Sequence, residues 1–256
     1  MPGLSVFYPQ QKSNFLDRQT RPWRDMIGVR VVGRGEAMPL DPTVLSWSWV
    51  VAALFLEEPP LALAGELVQG RLNLPGPLVG NGKLAEGLAA LSAFANAQAG
   101  REAEQVHHEL CQEYAALFVG PWPRTVHPYE SVYRDSLTVG GQTFRELLMG
   151  ESVDKVRTFW AEVGVQGIHP RNYPPDHFGM ELGFVAYLGQ QFLETGQERY
   201  LELARRFLQE HLLAWGPRFC TDLYALDAAR FYKPVARLAE VLLATLAQQF
   251  DAGAHR

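Results

Sequence analysis

The sequence predicts an all-α fold: a single globular helical domain over residues 38–256 behind a poorly ordered N-terminal extension, residues 1–37. Three observations carry this. From Asp41 onward, apolar residues recur at spacings of three and four. Pro and Gly gather at the ends of those runs. Beyond residue 37, no run alternates apolar and polar residues as a half-buried strand does. At ordinary helix lengths the periodic segments make roughly nine to eleven helices.

Residues 1–37 lack helical periodicity and hold one short β-like run, Val29 to Val32. They carry six basic and three acidic residues, a net of +3 in a chain whose formal charge is −5. Such a segment is expected to pack loosely. Met38 is an alternative translation start, and mass spectrometry of the native terminus tests it; an intact Met1 or Pro2 excludes it. Asp41-Pro42 reads as an N-cap followed by a first-turn proline. Val44, Leu45, Trp47, Trp49, Val50 and Leu54 make that helix strongly apolar, and Pro59-Pro60 stops it. Short helices follow near 60–70 and 83–99, then a longer one at 101–119, ended by Gly120-Pro121. Further helices fit 143–163, 175–195, 197–214 and 227–250. In the last, Phe231, Val235, Leu238, Val241, Leu242, Leu246 and Phe250 form one core-facing stripe.

Composition excludes several classes. Apolar residues make up 47% and charged residues 20%, the balance of an ordinary globular protein. Two cysteines, Cys111 and Cys220, cannot build a disulfide framework, which points to a reducing compartment. The longest apolar runs fall short of the roughly 20 residues of a membrane span, and the first thirty residues lack a secretory signal pattern. A cytoplasmic location and no stable membrane insertion are therefore expected. The acidic body disfavours nucleic acid and suits a cationic partner.

Several catalytic and ligand motifs fail. The run from Gly76 to Lys83 has the wrong spacing for a phosphate loop, and Leu84 stands where Ser or Thr would hold magnesium. Gly33-Arg-Gly35 lacks the third glycine of a dinucleotide fingerprint. His107 with Cys111, and Glu104 with His108, are i, i+4 pairs without the further ligands a zinc site needs. Ser131 has no nucleophile elbow. No cofactor, no metal and no catalytic residue are predicted.

Three segments remain: Glu113-Tyr-Ala-Ala-Leu-Phe-Val-Gly-Pro121, Pro128-Tyr-Glu-Ser-Val-Tyr133 and Tyr173-Pro-Pro-Asp-His-Phe-Gly-Met-Glu-Leu182. Asp176 follows two prolines and falls in the expected first turn of a helix, where the exposed amides favour an ionised carboxylate. The same dipole pushes His177 toward its neutral form. Such a pair suits an arginine fork and a neighbouring polar group, although Asp176 is equally read as a plain cap. Trp122 lies in a proline-braced loop, and Tyr129, Glu130, Ser131 and Tyr133 supply phenols, a carboxylate and a hydroxyl. Aromatic rings on a stiff loop contact a partner at low entropic cost; pinning of Tyr129 and Tyr133 to the core is the competing reading.

In these three segments the chain resembles the TorD/DmsD-type redox-enzyme maturation chaperones, with NarJ-type proteins as relatives. The resemblance implies an all-helical cytoplasmic chaperone without catalytic activity. It would bind the twin-arginine signal peptide, the apo body, or both, of a molybdopterin-containing oxidoreductase, and delay export until the cofactor is inserted. It implies peptide-binding roles for Asp176 and His177, with Pro128–Tyr133 as a neighbouring wall. Asn172-Tyr173 precede Pro174 where relatives often carry an acidic residue, so either Glu130 or Glu181 would compensate or the client's leader would differ. A leader burying about 500 Å² of apolar surface gains roughly 12 kcal/mol before ordering costs, while an exposed Arg–Asp176 pair adds about 0–1 kcal/mol. Affinity would then come from an apolar groove and selectivity from Asp176. The oligomeric expectation is a monomer or a domain-swapped dimer. Two alternatives stand beside this: a helical scaffold or assembly subunit that binds no leader, and a small-molecule enzyme using Asp176 and His177.

Overall fold

The computed structural model describes residues 40–72, 82–119, 126–145, 147–165 and 173–253. The expectations placed on residues 1–37, on Gly76 to Gly80, on Gly120-Pro121 and on Trp122 lie outside these. Among the described residues the fold is all-α apart from one short hairpin. The helices are α1 Pro42–Leu56, α2 Leu61–Val68, α3 Gly82–Gln98, α4 Ala103–Tyr114, α5 Glu130–Arg134, α6 Glu151–Glu162, α7 Phe178–Thr195, α8 Glu198–Phe207, α9 Leu213–Ala225 and α10 Tyr232–Gly253. A π-helical turn, Ala115–Val119, extends α4, and another, Leu208–Leu212, joins α8 to α9. No described helix is long and apolar enough to cross a membrane.

The core is built on α1 and α7. Both are apolar around most of their circumference, the pattern of a helix surrounded by others, and every residue of α7 from Phe178 to Phe192 is buried. Asp41 caps α1 as its sequence suggests, its carboxylate accepting from the Thr43 N–H at 2.8 Å. Helix α7 lies against α1, with α8, α9 and α10 completing the shell. Glycine sets the closeness of the central contact. A Cβ on Gly179 would stand 2.7 Å from the Ala52 carbonyl oxygen, and one on Gly189 would stand 2.7 Å from Leu45. Phe55 sits at the junction, fully buried, with Phe178 and Phe219 against it edge-on at 5.0 and 5.4 Å.

Three sequence expectations need correction. Residues 143–145 and 147–150 are not helical. Ser136–Val139 pairs antiparallel with Gln142–Arg145 across Gly140-Gly141, both at positive φ, and α6 starts only at Glu151. The two glycines meet the demand of a tight hairpin turn for positive φ. The apolar Leu147-Leu148-Met149 run mimicked helix periodicity, and Met149 itself is left-handed at φ 63°. The helix expected over 197–214 continues to Ala225 through Pro217, with the π-turn at Leu208–Leu212 immediately before that stretch. Helix α7 begins at Phe178 rather than 175, so Asp176 precedes its cap.

The first signature segment is structural. Glu113 receives the backbone N–H groups of Arg230, Phe231 and Tyr232 at 2.8, 3.1 and 2.9 Å, capping the start of α10 from α4. Leu117 is fully buried, and Phe118 packs on Phe55, Tyr114 and Tyr232.

Candidate functional site

The second and third signature segments, 45 residues apart, are joined through their backbones. The Glu130 N–H donates to the Asp176 carbonyl at 2.9 Å and the Phe178 N–H to the Pro128 carbonyl at 2.8 Å, with Tyr129 and His177 paired antiparallel between them. The prolines explain this geometry. They hold the chain extended ahead of α7, and the His177 N–H closes a turn on the Pro174 carbonyl at 3.1 Å. The N-cap is therefore His177. Its Nδ1 accepts from the Gly179 N–H at 3.1 Å, so that nitrogen carries no proton.

Asp176 is not a surface carboxylate. Its relative exposure is 0%, and Oδ2 accepts from the Ser131 N–H at 3.0 Å. Ser131 is the second residue of α5, so Asp176 caps a neighbouring helix rather than its own. Burial raises the Asp176 carboxyl above its usual range, opposed by hydrogen bonding from the Ser131 N–H. This corrects the expectation of an exposed, ionised grip for arginine. It also separates Asp176 from His177: one turns toward Ser131, the other back on Gly179, so they do not act as a joint acid and base.

Glu130 and Glu181, one or the other of which was expected to compensate, are also fully buried. Glu130 Oε2 lies 2.7 Å from His211 Nδ1, with the imidazole N–H donating, and Glu130 Oε1 pairs with Arg134. Arg134 also donates to the Glu210 carbonyl at 2.7 Å. Glu181 Oε2 accepts from the Trp215 indole N–H at 3.0 Å, whereas Glu181 Oε1, Asp176 Oδ1 and Ser131 Oγ meet no partner among the described residues. Burial, then the neighbouring Glu130 charge, drives the Glu181 carboxyl well above its ordinary value. Segments 130–134, 176–181 and 211–215 thus converge on one buried polar knot.

Sequence reasoning did not find His211 or Trp215. One signal existed: His211 interrupts the apolar series Phe207, Leu208, Leu212. Four residues after Phe207 and three after Leu208, it shares their buried helix face.

At the edge of the knot the aromatic residues reach solvent. Tyr129 and Tyr173, both partly exposed, flank His177 at ring distances of 5.0 and 4.9 Å. Burial of its ring pushes the Tyr129 phenol up to about 12. Tyr133, partly exposed, packs on Trp215 at 5.4 Å, and burial again raises its phenol, with Asp222 adding to the effect. Each of these tyrosines is pinned to the core and shows an edge to solvent. An open hollow of about 370 Å³ lies elsewhere, lined by Phe94, Arg101, Val106, Glu113 and Arg230 among others.

Residues 81–221 match the family model described as nitrate reductase delta subunit. The chain is similar to the Tat proofreading chaperone DmsD of Salmonella typhi, 31% identical over 200 residues, 76% of this chain and 84% of the relative. It is 30% identical over 135 residues to the chaperone protein TorD of Vibrio cholerae serotype O1, 51% of this chain and 57% of the relative. With the TorD of Aliivibrio fischeri it shares 29% identity over 160 residues, 61% of this chain and 70% of the relative. The chain thus spans most of the Salmonella protein but little more than half of the Vibrio one.

Proposed function

The chain belongs to the nitrate reductase delta subunit family, which includes the TorD/DmsD-type chaperones of redox-enzyme maturation, and on that premise we propose that it binds the twin-arginine leader of a molybdopterin-containing oxidoreductase in the cytoplasm. In this reading it holds the apo enzyme back from export until the cofactor is in place, and it catalyses no reaction. The observation that carries the site is the backbone seam between Pro128–Tyr133 and Pro174–Phe178. It fixes Tyr129 and Tyr173 on either side of His177, a stiff aromatic edge that needs little further ordering on contact with a peptide.

The roles of the site residues divide by accessibility. Tyr129, Tyr133 and Tyr173, the partly exposed rings, form the contact edge; His177, Asp176, Glu130, Ser131 and Glu181, all buried, hold it from beneath. A half-exposed carboxylate beside Tyr133 is Asp222, 45% exposed at its side chain and 3.8 Å from Arg218, and it is assigned the arginine contact that Asp176 is too buried to make.

Calorimetry with a synthetic twin-arginine leader and its lysine-for-arginine counterpart tests this. Tyr129→Ala is expected to weaken leader binding several-fold. Asp222→Asn is expected to erode the preference for arginine, and Asp176→Asn to leave it intact. A wild-type chain that binds neither peptide while co-purifying with a stable protein partner overturns the reading in favour of a helical scaffold.

A further inference from the structure

We propose that Glu130, Glu181 and His211 bind one divalent transition-metal cation. Their ligand atoms, one from each residue, all lie within 4.8 Å of one another, and all three side chains are buried. Three separate elements supply them: α5, α7 and the π-turn Leu208–Leu212. They therefore converge through the fold rather than as sequence neighbours.

A buried acidic cluster alone is no evidence for an ion. Here a second observation points to one: Glu181 belongs to the cluster with 0% exposure, yet its Oε1 meets no donor among the described residues. Buried carboxylate oxygens are ordinarily hydrogen-bonded or bound to a cation. Arg134, which is 39% exposed and sits at the rim, holds one oxygen of Glu130, and a divalent cation would balance the two glutamates in their ionised forms.

The donor set limits the ion. One imidazole nitrogen and two carboxylates suit zinc, manganese or iron(II), and no thiolate is present to favour copper(I). On binding, the His211 imidazole proton moves from Nδ1 to Nε2, freeing Nδ1 to turn from Glu130 Oε2 to the ion, while Glu130 keeps Arg134 on its other oxygen. The Trp215 N–H, already on Glu181 Oε2 at 3.0 Å, would orient that ligand from outside the coordination shell.

Chelator-treated full-length protein is titrated with zinc chloride and, separately, manganese chloride, by calorimetry and thermal melting. The expected result is saturation at one equivalent with a rise in Tm for at least one of the two ions. Glu181→Gln and His211→Gln are each expected to weaken binding at least tenfold. His107→Ala is the control, because His107 Nε2 and Cys111 Sγ lie 3.4 Å apart on α4 and form a second, partly exposed pair. Binding that survives His107→Ala and is lost in Glu181→Gln supports the proposal. Glu181→Gln keeps side-chain shape, so it decides the matter even where His211→Gln fails to fold. No saturable binding of either ion, binding unchanged in Glu181→Gln, or binding abolished by His107→Ala overturns it.

Discussion

At the residue scale, the direction of one side chain decides what Asp176 does. Its identity and its place beside two prolines were legible in the sequence, and so was its link to a helix N-terminus. Which helix was not legible, because the cap crosses 45 residues to Ser131. Asp176→Ala leaves the buried Ser131 N–H without its acceptor and is expected to cost about 1–3 kcal/mol; Asp176→Asn keeps an acceptor oxygen and should cost less. Urea unfolding of the two variants checks this, and equal costs would remove the capping role. The pH dependence has a fixed sign. The folded carboxyl is raised above its ordinary value of 3.8, so above that value the folded state holds a proton that the unfolded chain releases. Asp176 therefore contributes a loss of stability as pH climbs from about 4 through the folded pKa. Asp176→Asn should flatten that slope, measured as the wild-type minus variant difference in unfolding free energy.

At the scale of elements, helix positions followed from periodicity and their ends from Pro and Gly, as the Asp41 cap shows. Departures arose where a local signal had two meanings. Gly140-Gly141 turn a hairpin, and Leu147-Leu148-Met149 carry helix-like spacing in a segment that is not helical. A π-turn leaves no periodic trace that a short window resolves. Close packing was equally hidden. Gly179 and Gly65 both stand within helices, yet a methyl on Gly179 would meet Leu56 at 2.6 Å and Ala52 at 2.7 Å, while one on Gly65 meets nothing within 4 Å. The same substitution should have opposite signs. Gly179→Ala is expected to destabilise by about 1–3 kcal/mol through overpacking, and Gly65→Ala to stabilise by about 0.4–1 kcal/mol through the unfolded chain. Thermal melts of the two variants would reverse the account of the α1–α7 contact if Gly179→Ala were neutral.

At the scale of the whole molecule, fold class was readable because nearly every helix carries a core stripe and the stripes share one core. The buried knot was not readable, because it depends on three segments distant in sequence meeting at one point. That arrangement bears on how a leader would be recognised. With the signature carboxylates sealed inside, discrimination cannot rest on one buried ion pair, and the field of the chain as a whole takes a larger share. The formal charge of −5 attracts a basic leader over distances comparable to the Debye length, roughly 10 Å at 0.1 M salt. Long-range attraction of this kind speeds encounter more than it slows release. Raising salt tenfold from low ionic strength should therefore reduce the association rate of a twin-arginine peptide by a factor of roughly 3–10, and change its dissociation rate little. Stopped-flow fluorescence separates the two rates. A salt effect confined to dissociation would place the arginines in a local, desolvated contact and return selectivity to the site itself.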